Sequence, residues 1–109
     1  MSNLYITELD GVAFAPLPHG AAANAVAPVA NILKKPVAEQ KLTISGTTAR
    51  SAAFNAKTQF IKVHCDGITS ITFGDGTVVA TTGSQRLLVG IDYYFDVNPG
   101  DYLAGITNT

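Results

Sequence analysis

The 109 residues make one ordinary domain and leave no room for a second full core. Charged residues are 14% of the chain, against roughly 25% in an average soluble domain, and seven Lys and Arg nearly balance eight Asp and Glu for a net charge of −1. Lys34, Lys35, Lys41, Arg50, Lys57, Lys62 and Arg86 are scattered, which excludes the clustered cationic footprint that nucleic-acid binding requires.

Cys65 is the single cysteine, so no disulfide can form within the chain. The start, Met1 to Ile6, lacks the basic and apolar regions of a signal peptide. The apolar stretch 21–33 is too short to span a bilayer and carries Asn24, Pro28 and Asn31. A soluble protein made in the cytoplasm, without a membrane partner, is expected. A domain of this size buries only about 60–70% of its unfolded surface. With neither disulfide nor metal signalled, association is the expected source of further stability.

In chain order, residues 4–9 read as a first strand. Residues 11–35 then hold three of the five prolines, Pro16, Pro18 and Pro28, in an alanine-rich run. Pro28 sits inside the only stretch long enough for a helix, where a proline costs about 3 kcal/mol. An extended arm is expected, with one helical turn at 29–33. Its apolar residues Phe14, Leu17, Val26, Val29, Ile32 and Leu33 exceed what disorder tolerates. They are candidates for contact with a partner. The expected division is 1–36, an N-terminal strand and extended Ala/Pro-rich arm, and 37–109, a β-sandwich domain.

From Val37 onward a period of two dominates. Leu42 and Ile44 alternate with Lys41 and Thr43; Ile61, Val63 and Cys65 alternate with Lys62 and His64; Ile71 and Phe73 alternate with Ser70 and Thr72. Ile91, Tyr93, Phe95 and Val97 alternate with Asp92, Tyr94 and Asp96, which predicts the first set inside. Further strands are predicted over 77–81, 85–89 and 102–106. Asp66-Gly67 and Asp75-Gly76 predict tight hairpins with φ > 0 positions. Gly83-Ser84, Gly90 and Asn98-Pro99-Gly100-Asp101 punctuate the rest. Short strands at this spacing, with no helical window from 37 to 109, predict an all-β sandwich or barrel.

Chemistry is thinly signalled. His64 and Cys65 are adjacent on one strand, so they face opposite sides and cannot act as base and thiol; Cys65 reads as core. His64 and Asp66 share a face, but a zinc site needs three or four ligands. Asp92, Asp96, Asn98 and Asp101 could offer oxygens to calcium, yet they lack EF-hand spacing. Gly74-Asp75-Gly76 has no following Lys-Ser/Thr and no helix, so it is no phosphate loop. His19 lies in the arm. No cofactor is expected, and a cupin-like enzyme would need several histidines where the β region has only His64. Tyr94, set between Asp92 and Asp96 and away from the core face, is the candidate anchor for a partner protein.

The stretch 60–106 carries a strand with alternating aliphatics, then Phe73-Gly74, Ala80-Thr81-Thr82, Leu87-Leu88, a Tyr-Phe strand and Val97-Asn98-Pro99-Gly100 before a last aliphatic strand. This resembles a family of small tailed-phage virion structural proteins. The resemblance implies a jelly-roll-like sandwich without enzymatic activity, acting as a capsid cement or decoration protein. It implies the major capsid protein and further copies of the chain as partners, as a dimer or trimer, on the capsid surface. It equally allows a head–tail connector or tail component. A carbohydrate- or receptor-binding module is the alternative from another class, resting on Tyr94, Tyr102, Asp96 and Asn98.

Overall fold

The structure, a computed structural model, describes residues 2–10, 12–16, 26–33 and 35–108. Ten strands and no helix form among them: β1 (Ser2–Leu9), β2 (Val12–Pro16), β3 (Val26–Leu33), β4 (Ala38–Ile44), β5 (Ala49–Arg50), β6 (Phe60–Cys65), β7 (Thr69–Gly74), β8 (Gln85–Leu87), β9 (Asp92–Asp96) and β10 (Tyr102–Thr107). One four-stranded antiparallel sheet runs β4-β1-β6-β9 and a second runs β5-β10-β7-β8, while β2 and β3 pair only with each other. The period-two pattern is what buries one face of each strand. Leu4 and Ile6 of β1, Leu42 and Ile44 of β4, and Ile61, Val63 and Cys65 of β6 meet Ile71, Leu87 and Leu103 of the second sheet in one apolar core.

The two sheets approach closely at Gly105. A Cβ there would stand 3.0 Å from Ile44 Cδ1 and 3.6 Å from Leu4 Cδ2, so only the missing side chain lets the sheets close at that point. One end of the core is shut by the β5–β6 connection, which Glu8 holds. The Glu8 carboxylate is buried; Oε1 accepts from Asn55 N–H at 2.8 Å and Thr58 Oγ1 at 2.9 Å, and Oε2 accepts from Gln40 Nε2 at 3.0 Å. Burying a carboxylate is tolerable because its oxygens are bonded.

Several expectations are corrected. Residues 29–33 form the end of β3 rather than a helical turn. Pro28 stands opposite Phe14 in a two-stranded ribbon, and such edge strands are where a sheet tolerates proline. Residues 77–81 are not a strand but part of a loop, and β8 stops at Leu87 rather than Val89. Asp66-Gly67 does not close a hairpin; it carries the chain from the first sheet to the second. Neither Gly67 nor Gly76 has positive φ, which is found only at Gly90 and Gly100 among the described residues. Ile91, predicted inside with Tyr93 and Phe95, is exposed. The strand expected at Leu4–Leu9 is present as β1, and it lies in the interior of its sheet, flanked by β4 and β6.

Candidate functional site

The two sheets differ in what lies on their outer faces. On the second, the loop 75–84 is laid down by short-range bonds. Asp75 Oδ1 accepts from Thr77 N–H at 2.8 Å and from the Thr77 hydroxyl. These bonds hold the Asp75 carboxyl below its ordinary value, the hydroxyl contributing most. Arg50 Nε donates to Val78 O at 3.0 Å, Ala80 N–H donates to Thr48 Oγ1 at 3.0 Å, and Asn108 Nδ2 donates to Thr82 O at 3.3 Å. Gly76 sits over the Tyr102 ring and Gly74 against Val78. The loop therefore covers this face, and Ser70 and Ala104 are buried beneath it.

The first sheet's outer face stays open. Tyr5, His64 and Asp92 stand directly opposite one another on β1, β6 and β9. His64 Nδ1 lies 2.9 Å from Asp92 Oδ1, and the Tyr5 ring centroid lies 6.5 Å from the imidazole. One rung further along, Lys62 is opposite Tyr94, whose ring lies 6.4 Å from that of Phe60. The row is half-exposed, and an ion pair in such a setting is worth at most about 1 kcal/mol. His64 and Asp92 have the form of two members of an acid–base array. No hydroxyl or thiol among the described residues is bonded to the imidazole, and Cys65 points into the core.

Beside this row stands the turn from β8 to β9. Leu88, Val89 and Ile91 are 49%, 51% and 44% exposed, an unusual run of large apolar side chains in water. The turn is not loose. Gly90 adopts φ 78°, in the left-handed region that glycine enters without a Cβ penalty. Gly90 N–H donates to Cys65 O at 3.1 Å, Cys65 Sγ donates to Leu88 O at 3.2 Å, and Leu88 N–H donates to Tyr93 Oη at 3.1 Å. Burial pushes the Cys65 thiol up from its ordinary value, so it stays neutral and keeps its proton for Leu88 O. The apolar side chains are thus held outward by a bonded frame.

Of the residues expected to meet a partner, Tyr94 is on the open face and 43% exposed. Phe14 lies on β2, opposite Pro28, and Val26, Val29, Ile32 and Leu33 lie on β3. Leu17 and His19 fall outside the described residues. The four residues of the carbohydrate reading are divided: Tyr94 and Asp96 are on β9 of the first sheet, while Tyr102 is on β10 of the second. His64 and Asp66 are not brought together either, since Asp66 Oδ1 accepts from Asn3 N–H. Among the described residues no three His, Cys, Asp or Glu converge as metal ligands. Leu88, Val89 and Ile91 were missed because continued alternation past Leu87 assigns Val89 and Ile91 to the core. The signal was Gly90, which interrupts an otherwise unbroken apolar run. No protein-family model, curated protein or solved structure matches the chain.

Proposed function

We propose that the protein is a non-enzymatic docking module that works as a structural component of a tailed-phage virion, a capsid cement or decoration protein bridging major capsid subunits. The observation that carries the docking part is the β8–β9 turn, where Leu88, Val89 and Ile91 are exposed on a backbone held at Leu88 and Gly90 by three hydrogen bonds. Preorganised apolar side chains lose little entropy when a partner covers them. The open outer face of the first sheet, with Tyr5 and Tyr94, extends the same surface with rigid amphipathic rings.

The virion part rests on the resemblance over 60–106. In its support, the chain passes from one sheet to the other at β4 to β5, β5 to β6, β6 to β7, β8 to β9 and β9 to β10. Eight strands in two sheets with such crossings suit a jelly-roll-like sandwich. In this reading the β2–β3 ribbon is the arm that lies on the capsid or on a neighbouring copy. Binding only to the assembled shell would stabilise it by RT ln(1 + [L]/Kd) at each site.

The test is mass spectrometry of purified native particles, quantifying this chain against the major capsid protein. A simple ratio to the capsid subunit is the expected result. A small fixed number of copies per particle would move the protein to the connector or tail, and absence from particles would overturn the virion reading.

A further inference from the structure

The first sheet ends in two strands, β4 and β9, whose outer sides have no strand partner among the described residues. The second sheet ends in strands of only two and three residues, β5 and β8, a common way to blunt an edge. The first sheet's edges are seven and five residues long, long enough to take another strand. What can pair with β9 is restricted by its charges. Two β9 strands meeting antiparallel about Tyr94 would set Asp92 against Asp96 on each side, and like charges directly opposite are destabilising. A symmetric β9–β9 pair is therefore disfavoured.

We propose instead that copies of this chain associate head to tail, the β9 edge and apolar turn of one copy receiving the β4 edge of the next. Every pair within the sheet is antiparallel, so β4 of a neighbour continues the alternation past β9. Keeping apolar faces together permits only shifts of two residues. With Lys41 opposite Tyr94, Glu39 falls opposite Asp96 and repels it. With Lys41 opposite Asp92, the anion is one already engaged by His64, and Gln40 faces Tyr93. With Lys41 opposite Asp96, the charges complement, Thr43 faces Tyr94, and Leu42 and Ile44 face Phe95 and Tyr93 on the core side. Among the described residues neither Lys41 nor Asp96 has an ion-pair partner within its own chain. The turn carrying Leu88, Val89 and Ile91 lies at the β9 edge and is covered by the same approach. Such an interface joins different surfaces, so it closes into a ring or continues as a filament.

This deepens the docking reading by naming a second copy as one partner. It is tested on purified chain alone, so its failure is separate from that of the virion reading. Sedimentation is measured across concentration for wild type, Lys41→Glu, Asp96→Lys, the double variant and Ile91→Asp, with circular dichroism to verify folding. Wild type is expected to associate. Each single charge variant is expected to weaken association at least about tenfold, since it sets like charges opposite one another. The double variant restores it to within about threefold, and Ile91→Asp weakens it without rescue by either charge change. A wild type that stays monomeric at its highest soluble concentration would overturn the proposal. So would association indifferent to the single variants, or a double variant no better than either.

Discussion

A carboxylate in a protein interior is costly unless its oxygens are bonded, and Glu8 meets that condition through Gln40, Asn55 and Thr58. Glu8→Ala removes the acceptor of the buried Thr58 hydroxyl and of Asn55 N–H, while Gln40 Nε2 keeps Ala52 O, and a buried group left without a partner costs about 1–3 kcal/mol. A loss of about 3 kcal/mol is expected in urea unfolding, as a lower midpoint at unchanged slope; Glu8→Gln, which retains one acceptor, loses less. Cys65 makes a different prediction. Its thiol pKa is raised in the folded chain, so the folded state holds that proton more tightly than the unfolded state. Stability is full below the ordinary thiol value of 9.0 and declines as pH rises towards the folded value. The decline should be absent from Cys65→Ala, and thiol reagents should label wild type only once it unfolds. Of these two residues, alternation with Ile61 and Val63 made Cys65 legible as core. Glu8 was not legible, because its partners lie 32, 47 and 50 residues away in sequence.

At the scale of the elements, tight spacing and backbone sign decide what can be changed. Gly105→Ala places a methyl 3.0 Å from Ile44 Cδ1, and overpacking of this kind costs about 1–3 kcal/mol. Ile44→Val removes that methyl, so the double variant should unfold at a higher urea concentration than Gly105→Ala alone. Gly90→Ala meets open space but holds an L-residue at φ 78°, a strain of about 1–2 kcal/mol. A thermal midpoint lowered by several degrees is expected. The period-two signal placed β4, β6, β7, β9 and β10 because one face of each is buried by the other sheet. It failed for residues 77–81 for a physical reason. Thr and Val there favour extended backbone, but Asp75, Arg50 and Thr48 take up the bonds that a strand neighbour would have supplied. It failed at Ile91 because the bond from Gly90 N–H to Cys65 O turns the chain before the alternation resumes.

For the molecule as a whole, the extents of 53 × 27 × 21 Å are long in one direction, and among the described residues β2 and β3 pair with no strand of either sheet. Replacing residues 11–35 by a short Gly-containing turn should leave a folded two-sheet protein whose thermal midpoint moves by only a few degrees, measured by circular dichroism. If the ribbon serves as the arm, the same variant loses particle binding while remaining folded; a truncation of residues 1–35 would not test this, because it removes β1 from the middle of its sheet. The arm's apolar residues raise the expectation of a partner without naming one, since nothing in a single chain fixes what such a segment touches. The reason the replacement is geometrically simple lies in the register of β1 and β4, where Glu8 stands opposite Ala38. The ends of the whole 11–35 excursion therefore meet within one antiparallel pair, so the segment is a cassette inserted at a hairpin tip. A foreign peptide grafted there would begin and end at neighbouring positions of one strand pair, so its insertion would leave the pairing of β1 with β4 in register.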